Sequence, residues 1–144
     1  MASQIKHPKA GLANFRPPVR ERTKVKPSAQ QRREGNCEKH LALIRQLPCC
    51  VTGRAGPNDP HHLCSGPAAK ERSLGKRATD RWAVPLCRAA HDEVHSMGSR
   101  REQAWFRAHG IDDVIELAAA LWNAPANVNV MTRIVQSHMG RPSR

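Results

Sequence analysis

A chain of 144 residues with 24 Lys and Arg against 12 Asp and Glu, a formal charge of +12, has room for one small domain and favours polyanionic partners, nucleic acid first and acidic membrane surfaces second. No run approaches the roughly 18 apolar residues of a transmembrane helix, and the amino terminus lacks the apolar core of a secretion signal. Five cysteines, an odd number, argue against a disulfide framework, so the expected compartment is a reducing cytoplasm.

Residues 1–36 read as a disordered basic arm. Nine basic residues (Lys6, Lys9, Arg16, Arg20, Arg22, Lys24, Lys26, Arg32, Arg33) face Glu21 and Glu34, for a net +7. Pro8, Pro17, Pro18 and Pro27 oppose regular structure, and little apolar surface is present to offset the ordering entropy. The arm is expected to track phosphates, the alternative being a solvated tail. The folded domain is expected over 37–123. Leu41, Ile44 and Leu47 give a short amphipathic helix within Cys37–Leu47, stopped by Pro48. Cys49 to Gly53 reads as a tight loop, and His61-His62-Leu63 as a short strand. Residues 65–81 read as a polar, basic loop, and Trp82-Ala83-Val84 as a second strand ended by Pro85. Leu86–Met97, Glu102–His109 and Asp112–Trp122 read as helices, with Gly98 and Gly110 as breaks and Asp112 as an N-cap. Residues 124–144 carry weak patterning and receive no assignment. The apolar residues lie between Leu41 and Trp122, so the core is small, and a core of that size often leans on a metal or a partner.

The chemistry is concentrated in histidines. His91 and His95 stand at i and i+4 on one helix, one turn apart, where both imidazoles can meet a single ion. His61 and His62 are neighbours on a strand and point to opposite faces, so one can reach the metal while the other takes a different position. Strand pair, basic loop, second strand and a helix with His-x3-His together form a far more specific pattern than either histidine pair alone.

That order resembles the HNH, or ββα-metal, nucleases. Asp59-Pro60-His61-His62-Leu63 is similar to their first strand, and the run from Asp80 through Val84-Pro85-Leu86-Cys87 to His91 is similar to their second strand and helix start. The segment from His40 to Cys50 further resembles the entry to this motif in small phage and prophage members, some of them recombination-enhancing nucleases. The resemblance covers roughly residues 40–122. It implies an α+β fold with a ββα core at about 58–97 and flanking helices, and metal-dependent hydrolysis of DNA with low sequence specificity. It also implies His61, His91 and His95 as ligands of one divalent ion, with His62 as the general base. Mg²⁺ or Mn²⁺ is expected for activity, and imidazole-rich ligation also accepts Zn²⁺.

Two departures from that family stand out. Its middle asparagine, which orients the base, falls at Trp82, which cannot do so; Asp80 is the candidate replacement, unless it only caps a turn or pairs with Arg77 or Arg81. Its two Cys-x2-Cys pairs read here as Cys49-x2-Thr52 and Cys87-x2-Ala90, so a zinc brace would need an irregular set drawn from Cys49, Cys50, Cys64 and Cys87. Lys70, Arg72, Lys76 and Arg77 are the candidate phosphate contacts in the loop between the strands. Trp105 and Trp122 are expected in the core, with His40, His109 and His138 exposed and Cys37 without a role. Two other classes compete: a non-catalytic DNA-binding accessory protein with a structural metal, and a basic structural or RNA-binding protein with incidental histidines.

Overall fold

The computed structural model describes residues 33–140. The expected disorder of the arm lies, for residues 1–32, outside the described residues. The elements in order are α1 (Glu38–Ile44), β1 (Asp59–His62), α2 (Pro67–Glu71), a 3₁₀ turn (Asp80–Trp82), β2 (Ala83–Leu86), α3 (Arg88–Met97), α4 (Glu102–Ala108), α5 (Val114–Asn123) and α6 (Val128–His138). The class is α+β. No helix among the described residues is long and apolar enough to cross a membrane.

The two strands pair antiparallel, with His61 opposite Val84 and His62 opposite Ala83. A lone two-stranded ribbon is marginal in water, and this one is held from outside. Every residue of β2 is buried, and α1, α3 and α5 pack against it. Pro85 was expected to end β2, yet the strand runs to Leu86. Pro85 faces Pro60 across the ladder, a position where neither backbone N–H is needed between the strands, and its carbonyl instead accepts the N–H of Cys50 at 3.0 Å.

Ile44, Leu47, Leu63, Leu86, Phe106, Ile111, Leu117 and Leu121 build a single core. Gly98 and Gly110, at φ +77° and +85°, end α3 and α4 in left-handed conformations that glycine adopts without strain. Several expectations are corrected. The cap of α5 is Asp113 rather than Asp112; its Oδ1 accepts the Glu116 N–H at 2.9 Å. The loop over 65–81 contains α2. His40 is buried, its ring edge-on to Trp122 with centroids 5.0 Å apart, and Trp122 itself is only half-buried. Residues 33–36 do not belong to a loose arm, because Gly35 O accepts the Arg81 N–H at 3.1 Å and Asn36 Oδ1 accepts the Asp80 N–H at 3.1 Å.

The unassigned C-terminal stretch supplies α6. Asn127 caps it, its side chain accepting the N–H groups of Asn129 and Val130 at 2.9 and 3.2 Å. Met131 and Val135, one turn apart, enter the core against α5. The fold therefore extends past 123. Met131→Ala is expected to lower unfolding free energy by about 2–5 kcal/mol, measured by urea titration. An unchanged urea midpoint would detach α6 from the core.

Candidate metal and catalytic centre

Strand alternation sends the two neighbouring histidines apart. His61 points inward and is 2% exposed; His62 lies on the other face with its side chain 14% exposed. Helix α3 packs on β1 and brings His91 and His95 over His61. One nitrogen from each of the three rings lies within 4.8 Å of the other two, and this is the sole group of its kind among the described residues. The ring centroids of His91 and His95 are 4.5 Å apart, and each is 5.3 Å from that of His61.

Two ring nitrogens of this group are short of partners. Nδ1 of His61 and Nδ1 of His91 are buried and make no hydrogen bond. A buried polar atom left so is costly unless something binds it, and a divalent ion would satisfy both. The other nitrogen of His61, Nε2, donates to Glu102 Oε1 at 2.9 Å. Glu102 is 2% exposed, and its oxygens also accept the Cys64 N–H and the Ser65 hydroxyl. Burial alone would push this carboxyl up; the bonds from His61, Ser65 and Cys64 outweigh it and hold it below the usual range. A carboxylate behind an imidazole fixes the tautomer with Nδ1 bare and strengthens it as a ligand. Burial, then the neighbouring His61 and His95, lower the pKa of His91, which keeps that ring neutral and able to ligate. The residues present fit a divalent ion.

On the opposite face, Nε2 of His62 is 2.8 Å from Asp80 Oδ1. Asp80 is itself clamped: its Oδ2 accepts the Cys37 N–H at 2.9 Å, and Arg77 reaches Oδ1 at 3.3 Å. Against the upward push of burial, the bonds from His62 and Cys37, with Arg77, keep Asp80 ionised. An ionised carboxylate only accepts, so Nε2 of His62 carries the proton and Nδ1 is free to take one. Burial lowers the pKa of His62 despite Asp80, with Arg77 adding to the shift. Trp82, where the resemblance would call for an asparagine, donates its indole N–H to Glu71 at 2.9 Å.

His62, His91 and His95 open into one cleft of about 240 Å³, shared with Cys64, Arg72 and Arg77. Lys70, on α2, and Lys76, on the loop that follows, are exposed and do not line it. The cysteines do not gather into a zinc brace. Cys64 lies at the cleft, while Cys49, Cys50 and Cys87 are buried, with the Thr52 hydroxyl 3.7 Å from Cys87 Sγ in the position a second thiol would occupy. Burial pushes the Cys50 thiol strongly up, as for a small apolar core residue.

Sequence reasoning missed Glu102 and the hold of the Cys37 N–H on Asp80. Glu102 did leave a signal: it shares the i, i+3, i+4 face of Trp105 and Phe106, where an acid has no place unless it is bonded. Replacing it isosterically tests its role. Glu102→Gln is expected to weaken metal binding about tenfold or more, measured by competition with a chromophoric chelator. Equal affinity in the variant would leave Glu102 a purely structural acid.

Comparison with known proteins yields little about activity. A family model described as a protein of unknown function, DUF968, matches residues 25–123. An uncharacterized protein of Escherichia coli (strain K12), YdfU, is 33% identical over 66 residues, which is 46% of this chain and 18% of that relative. The chain thus matches less than a fifth of that relative's length. No solved structure matches.

Proposed function

We propose that this chain, which belongs to the DUF968 family of proteins of unknown function, is a metal-dependent DNA endonuclease with a ββα-metal centre of the HNH kind. One observation carries the reading: three imidazoles converge on one point, and a carboxylate-oriented histidine opens into the cleft that two of them, His91 and His95, line. A solely structural metal site needs no poised base beside it.

His61, His91 and His95 would hold the ion, which would supply Lewis-acid stabilisation of charge on the phosphate and on the departing 3′ oxygen. Mg²⁺ or Mn²⁺ with water and phosphate completing the shell suits activity, and Zn²⁺ suits the imidazole set. The remaining steps belong to the chain. Arg72 and Arg77 neutralise phosphate at the mouth of the cleft. Asp80 holds the His62 ring with Nδ1 bare, and Nδ1 takes a proton as a water oxygen attacks phosphorus and the P–O3′ bond breaks. Low sequence specificity follows from phosphate-directed contacts, and the basic arm adds affinity without adding base recognition.

The decisive variant is His62→Ala. It is expected to retain metal stoichiometry, melting temperature and DNA affinity, while nicking of supercoiled plasmid falls by roughly two to four orders of magnitude. Wild-type cleavage by the variant would dismiss His62 as the base. A non-catalytic accessory protein would nick in neither form.

The rate should also depend on pH in a stated direction. Burial holds the pKa of His62 below 6.5, so its unprotonated form persists on the acid side of that value. The lowered pKa of His91 acts the same way on ligation. Nicking is therefore expected to lose half its rate only below pH 6.5. A half-maximum above 6.5 would contradict the buried-base assignment.

A further inference from the structure

The loop between α2 and β2 carries a side chain that folding does not explain. Among the large apolar residues left exposed, Met97 and Val130 keep 39% and 36% of their surface, whereas Leu74 keeps 104%. Leu74 occupies the tip of the turn Ser73-Leu74-Gly75-Lys76. The turn is closed by the Lys76 N–H to Ser73 O at 2.8 Å, with Gly75 at φ +73° as its left-handed residue.

The tip is free but its stem is fixed. Glu71 Oε2 accepts the N–H and hydroxyl of Thr79 at 2.9 and 2.6 Å, and Glu71 Oε1 accepts the Trp82 indole. Arg33 donates to the carbonyls of Arg77 and Glu71 at 3.1 and 3.3 Å. Such a stem presents Leu74 from a defined base. Lys70, Arg72, Lys76 and Arg77 flank the tip in sequence, and the two arginines also line the metal cleft.

We propose that Leu74 is a wedge that enters a base step of duplex DNA and kinks it beside the cleft. The proposal deepens the nuclease reading and shares with it only the choice of DNA as partner. The charge pattern selects that partner. A lone aliphatic side chain on a segment this basic is a poor anchor for an ordinary protein surface. A duplex offers phosphates for the cations and, between its stacked bases, an apolar slot for the leucine. Inserted aliphatic side chains kink DNA by on the order of 20–90°, and the cost is least at flexible or mispaired steps. The substrate preference implied is for deformable duplex over rigid duplex, with no base read directly.

The test separates bending from cutting. Bending is read by energy transfer across an end-labelled duplex, with metal-loaded full-length protein carrying His62→Ala so that strand scission does not intervene. Adding Leu74→Ala, at a fully exposed site, is expected to abolish the bend while the salt dependence of binding stays the same, because the phosphate contacts remain. Leu74→Met should retain the bend. In an otherwise wild-type chain, Leu74→Ala should nick intact duplex about tenfold more slowly and a mismatched duplex at an undiminished rate. Equal bending with and without Leu74, or no bending at all, overturns the wedge. Bending without any nicking by the wild-type chain leaves the wedge standing and removes the nuclease reading. Nicking without bending does the reverse.

Discussion

The centre depends on the two-residue period of a single short strand. Because adjacent side chains on β1 leave on opposite faces, one dipeptide serves two environments: His61 enters a nearly closed interior, and His62 meets the cleft. A register slip of one residue between β1 and β2 would exchange them and part His61 from Glu102 and His62 from Asp80. Burial on both sides of β2 prevents that slip, since α1, α3 and α5 clamp the strand against which β1 is aligned.

Around the strands, three carboxylates do what a larger apolar core does elsewhere. Glu102 ties β1 to α4 and to the Cys64-Ser65 bend; Asp80 ties the second-strand entry to β1 and to residue 37; Glu71 ties α2 to Thr79 and Trp82. A carboxylate taken out of water is costly when unpaired, and each of these, the buried Glu102 and Asp80 and the half-buried Glu71, receives at least three donors. The same bonds that offset desolvation also fix direction, so the acids orient the histidines as a by-product of being satisfied. Polar groups therefore specify this small interior as much as apolar contacts do.

Much of this was legible in the sequence because it rested on local periods. The i, i+4 spacing of His91 and His95 and the alternation at His61 and His62 are properties of one helix and one strand. The geometry joins them as those periods require. Asp80 was open to two readings, a partner of His62 or a pair for Arg77, and the structure brings it to both, 2.8 Å from His62 and 3.3 Å from Arg77. What escaped was non-local or backbone-mediated. Helix α6 was missed because Met131 and Val135 signal little without α5 to receive them. Pro85 misled because its meaning depends on which ladder position it occupies, and that is set by Pro60 on another strand. His40 gave no hint of burial beside Trp122 for the same reason: nothing local to either residue announces the contact.

The hold that residue 37 exerts on Asp80 runs through a main-chain N–H, not through the thiol. Any amino acid that keeps an extended backbone there can supply it, so the identity of the side chain is free to drift without moving the carboxylate. Proline is the exception, because it alone has no hydrogen to give. A site that looks in the sequence like a cysteine without purpose is thus a position defined by a single forbidden residue.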